Sequence, residues 1–372
     1  MKAIKLKLFT ACMALLFCAL TASQVYGQTF TAIASGDWSS SATWVGEAPG
    51  TNESDVQIII PVGIDVILDS EVTLSGNSTV LDVDGELNSA ANSSLTMSGG
   101  SITGSGSIIL EELVLEGTAI VVFTGTLTTD VLESAVATLT LVADVVVNQA
   151  LVLSEGILNL DTGGSMNLES DAVVEVSGGS LALLGGTLTF SGDYNVIYSG
   201  NTSSETGIEL SGEGLTDLTI DVGSDNTVTL NSNVDVAGTL SMESGTFELN
   251  GNDLEISGDV SATGNGELSA SVAGSDLTVS SGGSVTGTLN FSSEANQVNN
   301  LNIEVGSSGS VAISGNLDVE EMLTLQSGVL ALNKAELTIN GDLTGSGSFS
   351  ADAGSDLTLN VDGGTTAGLN FE

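Results

Sequence analysis

The chain repeats itself, and the repeating unit is made of short alternating segments. Thr239 to Asp259 reads TLSMESGTFELNGNDLEISGD: three runs of alternating apolar and polar residues, broken at Ser-Gly, Asn-Gly-Asn and Ser-Gly. The pattern returns at Met322 to Asp342 as MLTLQSGVLALNKAELTINGD, and more loosely at Ala150 to Asp161 as ALVLSEGILNLD. A step of 83 residues carries Leu218, Ile220, Val222 and Gly223 onto Leu301, Ile303, Val305 and Gly306, and Leu240, Gly245, Leu249 and Leu254 onto Leu323, Gly328, Leu332 and Leu337. The register then slips, so that Leu289-Asn290-Phe291 matches Leu369-Asn370-Phe371. Alternation with period two marks a strand with one buried face. A slip of a few residues between copies is tolerated only where each unit touches its neighbours alone.

These features predict an all-β fold, a right-handed parallel β-helix with three short strands per coil and coils of roughly 20–28 residues. About 14 coils stacked at strand spacing make a rod of roughly 65 Å. The alternative is a string of β-sandwich repeats of about 80 residues each, which would need linkers between units. None is visible, and proline is absent after Pro61. The expected organisation is a signal peptide at 1–27, an N-terminal cap at 28–75 and β-helix repeats at 76–372. The clearest long copies are 215–298 and 299–372, with a weaker one at about 126–214.

The cap is expected because residues 28–75 differ in texture. They hold both tryptophans, Trp38 and Trp44, and both prolines, Pro49 and Pro61. A solenoid has an open core at its end, and aromatic bulk ahead of the array suits closing it. The two tryptophans are also candidates for stacking on a surface-bound ligand, as are Tyr194 and Tyr198, which alternation puts on one face of a strand.

Charge narrows the function. Lys2, Lys5 and Lys7 precede an apolar run from Leu8 to Leu20, the form of a secretory leader, with Val25 and Gly27 placed for cleavage before Gln28. Both cysteines, Cys12 and Cys18, lie inside that leader, and Phe17 stands where a lipoprotein signal wants a small residue. Beyond it the only basic residue is Lys334, against all 47 acids, and the chain has no histidine. No nucleic-acid partner is expected, because such binding needs Lys and Arg against phosphates. No second apolar run is long enough to span a bilayer. The expected location is secreted or on the cell surface, held together by a large core rather than by disulfides.

Little points to catalysis. Nucleophile systems built on Ser-His or Cys-His lack their parts beyond the leader, as does nitrogen- or sulfur-ligated zinc. Glycoside cleavage needs only two carboxylates. Acids such as Asp217, Asp221, Asp225, Asp253, Glu255 and Asp259 are spread over every repeat rather than gathered. Calcium stays open, since it takes oxygen ligands alone. Asp82-Val-Asp84-Gly85-Glu86 has part of the pattern of a calcium loop but lacks its third acidic position. No other cofactor is expected, and no metal ligand can be named.

Trp38, Thr43-Trp44, Gly46, Pro49, Asp55-Val56, Ile58, Gly63, Val66 and Leu68-Asp69 resemble the opening of G8-type β-helix domains. Tyr194 to Tyr198 (YNVIY), Gly207 to Leu210 (GIEL) and Leu215 to Ile220 (LTDLTI) resemble repeats of large secreted bacterial surface proteins. The resemblance implies a surface-exposed β-helix with adhesive or structural roles and brings no catalytic residue. It also implies a C-terminal sorting domain, which is not seen after Phe371. The chain is therefore expected to be a non-enzymatic, adhesin-like rod that binds extracellular polysaccharide or cell-surface or matrix components, with self-association open. The alternative is a carbohydrate-active enzyme using paired carboxylates.

Overall fold

The computed structural model describes residues 27–262, 264–281, 286–293 and 296–360. The leader as far as residue 26 and the match at 369–371 lie outside the described residues. What is described is an all-β parallel solenoid of about 14 turns, with no α-helix and a single 3-10 turn at Ile208–Leu210. Every pairing between strands is parallel, each strand lying against one from the next coil. Sandwich domains pair mostly antiparallel, so that alternative is excluded.

Coil length follows from the pairing. Thr126 sits opposite Asp144, 18 residues ahead, and Thr29 opposite Gln57, 28 residues ahead. The shortest coils are tighter than the sequence suggests because Thr126–Leu141 and Asp144–Asp161 run round their corners as unbroken strands. Their bends are register shifts, at Thr129/Val131 and between Ser134 and Thr138; Thr126–Leu141 has no glycine there, and Asp144–Asp161 has one, Gly156 at φ +71°. A bulge bends a strand without spending extra residues on a loop.

Alternation sets what faces inward. In Asp65–Leu68, Val66 and Leu68 are buried and Asp65 and Ile67 are exposed. Inward residues then stack on their counterparts: Phe30, Ile58, Leu81, Ile102 and Val121 form one column, and Val228, Phe247 and Leu268 another. The columns join into one continuous core along the described chain. Leu240, Met242, Phe247, Leu249, Leu254 and Ile256, the apolar positions of the opening motif, all belong to it.

The 83-residue copies share a corner as well as a core. Gly245 has φ +84°, and a Cβ there would meet Val222 Cγ2 at 2.5 Å and the carbonyl oxygens of Gly223 and Asn226 at 2.9 Å. Gly328 has φ +80°, and its Cβ would meet Val305 Cγ2 at 2.5 Å and the carbonyl oxygens of Gly306 and Gly309 at 2.8 Å. Only glycine combines that backbone with so close an approach. The Ser-Gly break in the sequence is therefore a corner folded tightly over the coil below.

At the N-terminal end, Trp38 and Trp44 are both buried. Their rings meet edge to face with centroids 5.3 Å apart. Trp44 Nε1 donates to the Trp38 carbonyl at 2.8 Å, and Trp38 Nε1 to the Gly50 carbonyl at 3.3 Å. The strands of this region are already rungs of the solenoid. Gln57–Ile60 pairs with Val80–Val83 across residue 75 without interruption.

Candidate functional site

One coil breaks the pattern. Strands Gly179–Leu184 and Thr187–Phe190 each pair with the coil below, through Gly156–Asp161 and Ser165–Leu168. Among the described residues no strand pairs with their other edge. Further along the chain, Ser204–Glu205 and Val234–Val236 start new ladders that pair only onward. The ladder running through Ala172–Val176, Tyr194–Tyr198, Leu215–Asp221 and Leu240–Ser244 alone crosses this level unbroken.

The cause is the path of the chain from Ser199 to Gly214. Two residues of strand, Ser204–Glu205, and the Ile208–Leu210 turn replace the full strands that would cover the coil below. Side chains that belong to the core are left partly uncovered. Leu183 stacks on Leu160, which is fully buried, yet Leu183 itself is 43% exposed. Leu188 and Phe190 stand on buried Met166 and Leu168 and are only half-buried. Leu184, beside them, is also exposed.

A cavity of about 510 Å³ opens between this edge and the returning chain, lined on one side by residues 188–193 and on the other by residues 211–214. Phe190, in its lining, is braced from behind: its ring lies 4.0 Å, centroid to centroid, from the Tyr194 ring in a stacked arrangement. Two exposed acids, Asp193 and Glu213, are on the cavity rim. The backbone of Thr187–Phe190 also faces it. Thr187 N–H and Ser191 N–H donate down to Gly164 and Leu168. Alternation along a strand then turns the peptide groups of Leu188 and Phe190 towards the free edge.

Behind the cavity lies the one buried acid among the described residues, Glu209. Its Oε1 accepts hydrogen bonds from Tyr198 Oη at 2.5 Å and Gly207 N at 2.6 Å, while Oε2 has no partner. Burial pushes the Tyr198 hydroxyl well above its ordinary pKa, and the neighbouring Glu209 charge adds to the effect. Tyr194 is pushed up to about 12, chiefly by burial, although its bond with the Gly212 backbone opposes the rise.

The four aromatic candidates of the sequence are thus corrected as a surface-binding set. Trp38, Trp44, Tyr194 and Tyr198 are each 2% exposed or less, because alternation turns them into the core, and none offers a ring face to solvent. Phe190 and Glu209 were missed. Phe190 carries the same inward alternation as any core residue, and only the missing strand above it makes it accessible. The available hint for Glu209 was a glutamate between two apolar residues, Ile208 and Leu210.

Several of the other acids brace one coil to the next. Asp217 Oδ1 accepts from Thr239 N at 2.6 Å, Asp253 Oδ1 from Asp276 N at 2.9 Å, and Asp276 Oδ1 from Asn300 N at 3.1 Å. Asp221 takes the Ser244 hydroxyl, and Glu255 that of Ser280. The acids of the calcium-loop-like stretch have separate partners: Asp82 takes Thr103, Asp84 takes Ser105 and Glu86 takes Asn88. Among the described residues no group of three or more potential ligands gathers.

Compared with known protein families, curated proteins and solved structures, the chain matches none. The likeness to secreted surface repeats therefore rests on the residues quoted for it, and what stands independently of it is the β-solenoid.

Proposed function

We propose that this chain is a non-enzymatic, extracellular or cell-surface rod that works by presenting its surface to a binding partner. The observation that carries the reading is the use made of the acids. Asp217, Asp253 and Asp276 cap backbone N–H groups of the following coil. Carboxylates spent along the length of a solenoid in this way stiffen it, and charge spread over its surface keeps an all-strand protein soluble and guards its edges. The leader-like N-terminus supports export.

The carbohydrate-active alternative draws on one feature, the cavity with Asp193 and Glu213 on its rim. Two carboxylates flanking a cleft are the minimum for glycoside hydrolysis. Incubating the purified chain with a panel of acidic and neutral glycans separates the two readings. Binding to cells, matrix or polysaccharide without cleavage is the expected result. Reproducible release of reducing sugar, lost in Asp193→Asn, would replace the rod by the enzyme.

A further inference from the structure

The interrupted coil leaves three independent features in one place: a strand edge without a partner, core side chains only partly covered, and a cavity with an acidic rim. We infer that this gap is a receptor for an extended, basic peptide segment of another protein, which adds a strand to the free edge of Thr187–Phe190. The inference rests on the reading of the chain as a binding rod and names where and what it binds.

Each feature specifies part of the ligand. The peptide groups of Leu188 and Phe190, turned to the open side, offer main-chain hydrogen bonds to an incoming strand. Leu183, Leu188 and Phe190 lie in line with the buried Leu160, Met166 and Leu168 of the coil below. An added strand on the edge of Thr187–Phe190 that places apolar side chains on every second residue restores stacking that Leu188 and Phe190 have lost on one side. Its intervening residues project outward, toward a rim that holds Asp193 and Glu213. Lys or Arg at those positions finds charges of opposite sign there. Charge also selects against a second copy of this chain as the occupant. The sequence carries 47 acids against 4 basic residues, three of which sit in the leader. A second copy would bring like charge to the rim, whereas a basic segment is drawn to it.

The test is hydrogen exchange with the purified chain and a labelled eight-residue peptide of alternating valine and lysine. Two controls accompany it: a glycine–lysine peptide of equal charge, and a valine–glutamate peptide. Slower exchange at the amides of Leu188 and Phe190 with the valine–lysine peptide alone is the expected result. The double variant Asp193→Asn, Glu213→Gln leaves the exposed rim in place without its charge and is expected to weaken binding about five- to tenfold at low salt. That difference should shrink as salt is raised. Equal binding of the glycine–lysine peptide, unchanged exchange at the two amides, or full affinity in the double variant would each overturn the proposal. So would sedimentation showing that the chain fills the edge by dimerising through it. None of these outcomes depends on where the rod resides or whether it cleaves a glycan, so the receptor and the proposed function fail separately.

Discussion

Glu209 ties Tyr198 to Gly207 within the interrupted coil, and removing its carboxyl group has a calculable cost. Glu209→Ala deprives the Tyr198 hydroxyl and the Gly207 N–H of their acceptor. A buried donor left unsatisfied costs about 1–3 kcal/mol. Tyr198 is buried but Gly207 is exposed and its N–H can turn to water, so the upper bound is roughly 3 kcal/mol. Part is returned, because a buried carboxyl with an unpartnered oxygen is itself expensive to desolvate. The expected net loss is about 2 kcal/mol. Glu209→Gln keeps one acceptor oxygen and should lose no more than about 1.5 kcal/mol. The damage should be local before it is global. Neighbouring coils couple by their interfaces, and at this level a single ladder crosses. Scanning calorimetry of Glu209→Ala should therefore show the melt dividing into two transitions, with Glu209→Gln closer to the parent. An unchanged melt for Glu209→Ala would refute the reasoning, as would equal losses in Ala and Gln, which would mean that packing and not hydrogen bonding is at stake.

Other outcomes follow from the same physics. Gly245→Ala and Gly328→Ala should each destabilise by about 2–3 kcal/mol, from a left-handed backbone and a close approach that no Cβ fits. Chemical denaturation should show matched losses for the two, since the corners are copies. Alkaline unfolding should be governed by tyrosine. Tyr194 and Tyr198 keep their protons in the fold above the ordinary tyrosine value of about 10, so the unfolded chain ionises first. Stability is then full below about pH 10 and falls as pH rises toward the folded value of Tyr194, about 12. Melting temperatures of Tyr194→Phe and Tyr198→Phe measured from pH 9 to pH 12 should decline less steeply than the parent's. For calcium, a thermal melt in millimolar calcium should match one in chelator, apart from the general effect of ionic strength. A specific upward shift would reveal a site built from residues that now brace coils.

The solenoid was legible because its two governing patterns are local. Alternation tells which side chains face in, and Leu240 through Ile256 face in as their spacing dictates. The glycine of each Ser-Gly break marks a corner whether or not the coil beneath it is known, as Gly245 and Gly328 demonstrate. The interrupted coil was not legible for a corresponding reason. Thr187–Phe190 alternates like any other strand, and whether its second edge finds a partner depends on the route of residues 199–214. The same gap separates a buried aromatic from an accessible one. Tyr198 and Phe190 carry the same inward alternation, and only the presence or absence of a coil above each tells them apart. Bulged corners in Thr126–Leu141 escaped notice because no glycine announces them.

The single ladder through Tyr194–Tyr198 also fixes how the rod answers a pull along its axis. Hydrogen bonds between coils lie nearly parallel to that axis, so a load is carried by every ladder at a given level in parallel and by successive levels in series. Where other levels share the load, this one concentrates it on one row of bonds. Tension should part the coils here first. Each coil of about 20 residues that unwinds pays out on the order of 70 Å of chain. Under load the interrupted coil would yield first, lengthening the chain while the stacks on either side keep their shape.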